Sequence, residues 1–599
     1  MTAPSWDLSF AYSSLSGDDY QADIEQAKSL IHAISEIHPS SVTECQRVLA
    51  LGEQADSLVW SLSTYANCLA SVDATNQDAT LVISKLSALG AELNQAMEPA
   101  KNLLVVCDDA FFEAVLDGND EKGARSRFRF PLSQKRKLKD TLLSVEEEQL
   151  LSAMNVNGTA AWGRLYDNLT GTMTTTLKFD DGSEETLGLS QAASILYGPD
   201  RKRREPAWNA IADAMKTNQT SFAAILNALS GSRLTEYQKR SKKTQVHFLD
   251  PALHDGRIVR ETLDALMSVA KEQRHVGQEA GLAMAKLLGT DTLKPWDELA
   301  SMPSLSDSQG ETYSFDQGIA IIRKAFADVD PEMAEFVDMM VENNLIDAAP
   351  QPNKQPGAYC TEFFKTRTPM VFMTWGESMS DVVTLAHELG HAYHSWVLRD
   401  LSIDESNYPM TLAETASIFA ENIVRDALFK EAKQDSDKLA MLWEEAQSAL
   451  ALMINIPVRF EFEKAFYEQR KDGELSADKL SALMSEKWSE WYGDTMKETN
   501  EMFWASKLHF SIADLSFYNY PYLFGYLFSK GVYAQRSVKG DSFYADYKAL
   551  LRDTGSMTAE EVVEKHLGVD IRKPDFWSQS VDQVAEQVKL FNELIEAIK

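Results

Sequence analysis

Cysteine and basic residues are scarce in this 599-residue chain. Its four thiols are widely separated and form no C-x-x-C pair, which favours reduced, packed side chains over a disulfide framework or metal ligands. They are Cys45, Cys68, Cys107 and Cys360. Lysine and arginine number 58 against 90 aspartates and glutamates, which gives a formal net charge of −32. Because phosphate contacts require clustered basic residues, this charge argues against nucleic acid or an anionic membrane as a partner.

Long uncharged apolar runs are also missing. No stretch approaches the ~18 residues of a membrane span, and the N-terminus has neither the basic region nor the apolar core of a signal peptide. We therefore expect a cytoplasmic protein. What the chain does have is an ordinary globular composition, with 44% hydrophobic and 25% charged residues. One hydrophobic core rarely serves a chain of this length, so we expect two or more lobes with a cleft where they meet.

Most of the sequence shows the spacing of amphipathic helices. Apolar residues recur at intervals of three and four, which predicts helical hairpins in the first hundred residues. The clearest segments there are 21–37, 42–68 and 79–106. The same pattern returns between residues 205 and 290, so we predict a mainly α protein.

Two short segments have strand character instead. Residues 170–179 alternate threonines with apolar residues and lead into a turn sequence, which predicts one β-hairpin in the N-terminal lobe. Residues 368–375 predict a strand in a small sheet beside the helix described next. A junction rich in proline and arginine near residue 200 divides the chain into an N-terminal helical lobe, residues 1–200, and a catalytic domain, residues 201–599.

The segment with the most chemical information is 381–394, which contains H-E-x-x-H as His387-Glu388-Leu-Gly-His391. Four residues advance an α-helix by about 400°, so both imidazoles stand on one face and can bind one ion together. This spacing predicts a zinc site. Glu388 lies further around the helix, where it can accept a proton from a metal-bound water, and we expect it to act as general base.

A chance origin is the alternative for this motif. The chain has ten histidines, and with so few a random H-E-x-x-H arises on the order of once in a hundred such sequences. The flanking residues favour a helix, because Ser378 and Asp381 have the spacing of a capping box. The third metal ligand does not follow on the same helix, since His394 and Val397 occupy the positions where the metzincin pattern has glycine and histidine.

A second helix is predicted after residue 409, and it carries two glutamates on one face. Glu414 and Glu421 are seven residues apart, which is two helical turns. Thr411 and Glu414 also fit a T-x-x-E capping box, so Glu414 could simply close a helix terminus. A catalytic zinc site usually has three protein ligands, and the two histidines supply only two of them. We therefore assign Glu414 to the metal as the third ligand. We assign Glu421 to a hydrogen bond that orients a histidine.

The motif at 387–394, followed by these two glutamates, resembles the thimet oligopeptidase family of zinc metallopeptidases, and most closely its oligoendopeptidase F branch. The segment Gly357-Ala-Tyr-Cys360 fits the same branch. Specific motifs of the resemblance begin at about residue 200, whereas the earlier part shares mainly length and helical style. The resemblance implies one zinc ion and one catalytic glutamate, carried over as His387, His391 and Glu414 for the metal and Glu388 for the proton.

An aromatic stretch from residue 504 to 534 is the remaining group of interest. Its one histidine and five tyrosines could serve packing alone. The resemblance implies instead that a histidine and tyrosines here bind the substrate carbonyl and stabilise the oxyanion. The spacing from His509 to Tyr526 departs from that of the mammalian members, which leaves three tyrosines in order of preference. His509 and Tyr518 are carried over as catalytic, and Tyr522 and Tyr526 as substrate-binding.

Together these features predict a zinc-dependent endopeptidase that cuts internal bonds of short peptides. The resemblance implies an elongated, two-lobed helical body with a deep central channel, which would exclude folded proteins by size. Two alternatives stay open: a helical zinc carboxypeptidase, which removes C-terminal residues, and a catalytically idle peptide-binding scaffold. The oligomeric state is also open, as monomer or homodimer.

Overall fold

The structure of the chain is a computed structural model that describes residues 3–117, 127–303 and 312–598. Within these residues the protein is largely helical and contains two small sheets, which confirms the predicted mainly α class. Among the helices described, none has the length and apolar composition needed to cross a membrane.

Long helices open the chain. The segments predicted at 21–37, 42–68 and 79–106 are helical, and consecutive helices pack against each other as the predicted hairpins. In chain order the helices before residue 303 are α1 (Asp18–Ser35), α2 (Val42–Val72), α3 (Gln77–Val106), α4 (Asp109–Leu116), α5 (Arg129–Arg136), α6 (Val145–Asn155), α7 (Thr159–Thr172), α8 (Leu189–Ile195), α9 (Arg201–Thr217), α10 (Gln219–Arg240), α11 (Asp250–Asp255), α12 (Arg260–Glu272) and α13 (His275–Leu287).

Helices also dominate the second half, where a few helices of four residues lie among longer ones. In chain order they are α14 (Phe315–Ala327), α15 (Pro331–Glu342), α16 (Met379–Leu398), α17 (Ile403–Ser406), α18 (Met410–Ala413), α19 (Thr415–Glu431), α20 (Asp435–Leu450), α21 (Ile456–Arg470), α22 (Ala477–Tyr492), α23 (Phe503–Ser506), α24 (Tyr520–Lys539), α25 (Phe543–Asp553), α26 (Ala559–Leu567) and α27 (Pro574–Ile598).

The chain forms two compact units, and each is assembled from three segments. The first unit consists of Met1–Lys139, Gly310–Glu431 and Gln535–Gly568, and the second of Asp140–Gln309, Ala432–Ala534 and Val569–Lys599. The predicted boundary near residue 200 divides the sequence at a different place, and it stays a prediction.

The predicted β-hairpin is present and lies in the second unit. Strands β1 (Thr174–Lys178) and β2 (Glu184–Gly188) pair antiparallel. Gly182 turns the chain between them with φ of 82°, a left-handed conformation that glycine adopts without a steric penalty. The inward face of β1 buries Leu177 against alanines of α8 and α9, so the hairpin belongs to a small apolar core.

The second sheet lies in the first unit and has three short strands. They are β3 (Ile346–Asp347), β4 (Tyr359–Phe363) and β5 (Thr368–Phe372), in the order β3-β5-β4. The central strand β5 is parallel to β3 and antiparallel to β4, and its last four residues are buried. Helix α16 packs against β4 and β5. This confirms the predicted small sheet beside the helix that carries H-E-x-x-H.

Helix α16 begins with the predicted capping box. The Ser378 hydroxyl accepts a hydrogen bond from the Asp381 N–H at 3.1 Å, and the Asp381 carboxylate accepts one from the Ser378 N–H at 2.8 Å. Beyond this start the apolar side chains on most sides of the helix are buried, among them Leu385, Leu389 and Tyr393. A helix that is apolar almost all round is enclosed almost all round, here by the sheet, α19 and α25.

Candidate metal centre

Helices α16 and α19 come very close at Gly390. A Cβ atom at this position would lie 2.5 Å from the carbonyl oxygen of Ala416 and 2.6 Å from Cα of Ser417. Both contacts are with backbone, which cannot rotate away as a side chain can, so the approach requires glycine. The backbone of α19 therefore rests directly on α16, one residue before His391. This contact is what brings the glutamates of the second segment to the two histidines.

Three candidate ligand atoms converge beside this contact. The Nε2 atoms of His387 and His391 are 3.2 Å apart, and Oε2 of Glu414 lies 3.5 Å from each of them. Zinc bonds of 2.0–2.1 Å at tetrahedral angles would separate neighbouring ligand atoms by about 3.3–3.4 Å. The triangle thus has the size of three corners of a tetrahedral zinc site. These residues form a group that could hold a metal ion.

Glu421 orients the first histidine. Nδ1 of His387 donates to Oε1 of Glu421 at 2.5 Å, while the other oxygen of the same carboxylate lies 3.1 Å from Nη2 of Arg425. With the proton on Nδ1, the lone pair of His387 is on Nε2 and faces the triangle. Arg425, four residues after Glu421 on the same helix, holds the carboxylate in place. The predicted contact of Glu421 with a histidine is therefore present.

Glu414 does not close a helix through a T-x-x-E box. The prediction of one helix carrying both glutamates is wrong, because the chain forms α18 and α19 with Glu414 between them. Thr411 lies inside α18, which begins after Pro409, and Glu414 follows the last residue of that helix. The hydroxyl of Ser417 donates to Oε2 of Glu414 at 2.5 Å. This bond fixes the carboxylate toward the two imidazoles, so the geometry favours the metal over the capping alternative.

The charges around the triangle favour a cation. Burial acts to lower the pKa of His387, but the hydrogen bond to Glu421 and the nearby carboxylates outweigh it and raise the pKa. Burial lowers the pKa of His391, so that its imidazole is neutral and its lone pair is available. Carboxylate and neutral imidazole are the donor set that zinc accepts. The residues present therefore fit a zinc ion.

Glu388 follows His387 in α16 and is not a member of the candidate ligand group. Its side chain is buried, with the residue only 5% exposed, and Oε2 has no hydrogen-bond partner among the described residues. Burial raises the pKa of this carboxyl to about 7, although the neighbouring His387 opposes the shift. A carboxyl with an available oxygen and a pKa near neutrality can both take up and release a proton.

The aromatic residues predicted to bind substrate lie in the second unit, and three of them form a ring cluster. His509, on a 3₁₀ turn at Leu508–Phe510, is 5.9 Å from the Tyr518 ring and 5.8 Å from the Tyr522 ring, measured between centroids. Tyr518 and Tyr522 are 5.8 Å apart and edge to face. The hydroxyl of Tyr522 lies 3.5 Å from Nε2 of His509. We call His509, Tyr518 and Tyr522 the ring cluster.

His509 is neutral in this environment. Burial, reinforced by the cationic Arg459 and Lys507, lowers the pKa of its imidazole to about 4. Nδ1 is buried without a hydrogen-bond partner among the described residues. A neutral imidazole keeps one N–H to donate and one lone pair, so His509 is suited to donate a hydrogen bond to a substrate oxygen at neutral pH.

Comparison with known proteins identifies the chain. Residues 194–583 match the family model of Peptidase family M3, and residues 107–174 match that of Oligopeptidase F. The chain belongs to peptidase family M3. This confirms the resemblance to oligoendopeptidase F that the two helical motifs predict, and it makes the protein a peptidase.

Curated relatives of this M3 peptidase match it over most or nearly all of its length. An Oligoendopeptidase F homolog from Lactococcus lactis subsp. lactis (strain IL1403) is 23% identical over 623 residues, which cover 99% of this chain and 97% of the relative. Oligopeptidase PepF from Bacillus subtilis (strain 168) is 23% identical over 464 residues, which cover 76% of this chain and 68% of the relative.

Solved structures show the same fold. Oligoendopeptidase-F from Enterococcus faecium matches with a TM-score of 0.70 at 17% identity, covering 97% of this chain and 98% of that one. PZ peptidase A with an inhibitor matches with a TM-score of 0.69 at 17% identity, covering 95% and 97%. The arrangement of helices and small sheets is therefore common to these proteins.

Tyr526 differs from the other predicted residues of the M3 peptidase. It lies in α24, is 3% exposed, and has Lys530 over its ring at 5.6 Å from the centroid.

Two residues of the metal centre carry no signal in the sequence strong enough to predict their contacts. Ser417 stands between the two glutamates at a spacing that would allow its bond to Glu414, and Arg425 has the i,i+4 spacing to Glu421.

Proposed function

We propose that this M3 peptidase is a zinc-dependent endopeptidase that hydrolyses internal bonds of short peptides. The observation that carries the proposal is the triangle of His387 Nε2, His391 Nε2 and Glu414 Oε2, whose edges of 3.2 and 3.5 Å suit one tetrahedral ion. Three protein ligands leave one position for water, as catalytic zinc sites do. When bound, zinc supplies a Lewis acid that polarises a carbonyl and lowers the pKa of that water.

Glu388 handles the proton in this proposal. Its buried Oε2, which has no partner among the described residues, is available to accept the proton of the attacking water. The same carboxyl then returns the proton to the nitrogen of the departing amine. Burial raises its pKa to about 7, which keeps both transfers accessible near neutral pH.

His509 and Tyr518 donate hydrogen bonds to the carbonyl oxygen of the substrate in this proposal. As the peptide carbon becomes tetrahedral, its oxygen gains negative charge, and a neutral imidazole N–H or a phenol O–H can donate to it. A donor of this kind is worth about 3–4 kcal/mol of transition-state stabilisation in comparable sites. The likeness to oligoendopeptidase F and the stacking of the two rings at 5.9 Å support this assignment.

Short peptides are proposed as substrates because the relatives are named oligoendopeptidase and oligopeptidase. Mass spectrometry of an octapeptide blocked at both ends separates endopeptidase from carboxypeptidase. Internal fragments are the expected products. If the blocked peptide stays intact while its free-acid form loses C-terminal residues, the enzyme is a carboxypeptidase. Intact casein serves as the size control, and comparable cleavage of casein would contradict a preference for short peptides.

Glu388→Gln tests the mechanism, with the exposed Glu377→Gln as matched control. We expect Glu388→Gln to abolish hydrolysis while bound zinc, measured by elemental analysis, stays at one ion per chain. Glu377→Gln should retain both. Retained hydrolysis in Glu388→Gln would refute its role, and a wild-type protein that hydrolyses none of the peptides would favour the idle scaffold.

A further inference from the structure

The loop between His509 and α24 is irregular. Residues 511–519, which we call the ring loop, form neither helix nor strand, and Tyr518 lies near the end of this loop. An irregular segment leaves backbone N–H and C=O groups that need other partners. The partners of the ring loop therefore determine how His509 and Tyr518 stand relative to each other.

Arg233 of α10 binds the first half of the ring loop. Its side chain is buried, with the residue 8% exposed. The two N–H groups of Nη2 lie within hydrogen-bond distance of three backbone carbonyls, so at least one N–H is shared between two of them, and Nη1 donates to the hydroxyl of Tyr467 at 2.9 Å. The three carbonyl distances are 2.5 Å to Ile512, 3.1 Å to Ala513 and 2.7 Å to Leu515. A planar, rigid guanidinium that holds three carbonyls fixes their relative orientation.

Glu463 of α21 binds the second half. It is 3% exposed, and its Oε1 accepts the backbone N–H of Phe517 at 2.9 Å. Phe517 has φ of 55°, a left-handed conformation that is strained for a bulky side chain. Its ring is held by stacking on Phe248 at 5.5 Å and by contact with Tyr467 at 5.1 Å. The direction of the next residue, Tyr518, follows from this strained turn.

A buried guanidinium and a buried carboxyl are an expensive way to stabilise a loop. Burial raises the pKa of Glu463 to about 7, which shows how much its charged form loses by leaving water. Apolar residues of similar volume are often at least as stabilising as a buried charged pair. What Arg233 and Glu463 add is directional hydrogen bonding to the backbone, which apolar residues cannot supply.

We infer that Arg233 and Glu463 are positioning residues for peptide hydrolysis, which set the placement of His509 and Tyr518 through the backbone of the ring loop. The inference rests on the function proposed for these two rings. Both residues act on the loop from packed helices, so the rings are held in place before substrate arrives. Neither Arg233 nor Glu463 needs to touch substrate for this effect.

Hydrogen exchange tests the positioning without any activity. We compare backbone exchange of residues 508–519 in the wild type, in Arg233→Met and in Arg240→Met. Arg240 is the matched control because it lies on the same helix but pairs with Glu148 and Glu236. Arg233→Met should speed exchange in this segment alone, and Arg240→Met should leave it unchanged. Equal exchange in wild type and Arg233→Met would overturn the inference.

Steady-state kinetics of the zinc-loaded enzyme provide the second readout. A displacement of about 1 Å can cost about 100-fold in rate, so we expect Arg233→Met to lower kcat by about 10- to 100-fold with KM nearly unchanged. Glu463→Gln keeps an oxygen that can accept the Phe517 N–H, so it should retain most of the activity that Glu463→Met loses. Bound zinc should stay at one ion per chain in all variants.

A double variant separates positioning from general destabilisation. If Arg233 acts through His509 and Tyr518, Arg233→Met should have little further effect on kcat in a protein that already carries His509→Ala and Tyr518→Phe. A full additional loss there would refute the positioning role. A wild type without peptide hydrolysis would instead contradict the proposed function, while the exchange experiment would still decide whether Arg233 holds the loop.

Discussion

The metal centre and the ring loop place their side chains in different ways. At the metal centre, two regular helices meet at a glycine, and helical spacing aligns His387 with His391. Glu414 stands directly before α19, and the Ser417 hydroxyl in the first turn of that helix holds its carboxylate. In the ring loop, the backbone is irregular and includes a strained residue, and the buried side chains of Arg233 and Glu463 on other helices hold it in place. A helix carries its geometry in its own period, whereas a loop takes its geometry from whatever surrounds it.

This difference sets what a substitution can do in each region. At the metal centre a single ligand accounts for a large share of ion binding, so changes there should be close to all-or-none. In the ring loop several contacts share the work, so changes should be graded. Substitutions in the two regions should therefore differ in the size of their effects, and the largest effect is expected at the metal centre.

The contrast is strongest at Glu414. Glu414→Ala removes one of three candidate ligands, so we expect loss of bound zinc and a fall in hydrolysis of at least about 10³-fold. Elemental analysis and peptide turnover measure the two effects. Glu431→Ala is the control, since Glu431 is the last residue of α19, far from the histidines in the chain, and pairs with Lys324. One zinc ion per chain in purified Glu414→Ala would contradict the ligand role.

Tyr518→Phe and Tyr526→Phe sharpen the contrast on the loop side. Loss of an oxyanion donor costs about 10²- to 10³-fold in kcat, and we expect a loss of this size for Tyr518→Phe with zinc retained. Tyr526 is assigned to substrate binding and is buried in α24. We therefore expect Tyr526→Phe to change KM more than kcat. If kcat fell only in Tyr526→Phe, the order of preference among the tyrosines would be reversed.

Glu421→Gln should give a smaller effect at the metal centre. The variant keeps the size of the side chain but weakens its hold on the His387 N–H, and such supporting contacts are worth about 10- to 100-fold in metal affinity. Titration against a chelator of known affinity measures the change. Arg425→Met, which removes only the partner of Glu421, should shift the affinity in the same direction by less. Unchanged affinity in both variants would mean that the imidazole is oriented by packing alone.

The smallest effect concerns stability and pH at Glu463. Burial raises the pKa of this carboxyl from 4.5 to about 7, so between these values the folded state keeps a proton that the unfolded chain has lost. Stability therefore falls as pH rises through this window. Glu463→Gln removes this titration. The free energy of unfolding of the variant relative to wild type should therefore increase from pH 5 to pH 7, by an amount on the order of 2 kcal/mol, and its melting temperature should rise relative to wild type over the same range.

The control for this last measurement is Glu461→Gln on the same helix. Its melting temperature should follow that of the wild type across the same pH range. A difference between Glu463→Gln and wild type that does not vary with pH would show that Glu463 titrates at an ordinary value in the folded protein.

Much of the metal centre could be predicted from the sequence because its information is local. The i,i+4 spacing of His387 and His391 and the capping box at Ser378 both belong to α16, and Glu414 and Glu421 are only seven residues apart, directly before and within α19. Their relative position across helices is not local. It depends on Gly390, whose reason for being glycine appears only when the backbone of α19 is present beside it.

The ring loop could not be predicted for the same physical reason. Arg233 and Ile512 are 279 residues apart in the chain, and no periodic pattern connects them. The left-handed conformation of Phe517 has no sequence signal either, since glycine or asparagine would be expected there. The roles of His509 and Tyr518 are implied by the resemblance to a family. The contacts that hold them in place can be seen only in the folded structure.

Gly390 also bears on attempts to transplant this ligand set. A designer who copies the two histidines and the glutamate onto another pair of helices would naturally fill the intervening position with a good helix former such as alanine. In this architecture a single methyl group there would push the crossing apart and leave the carboxylate short of the ion. The glycine at position 390 thus matters as much to the proposed zinc site as the side chains proposed to bind the ion.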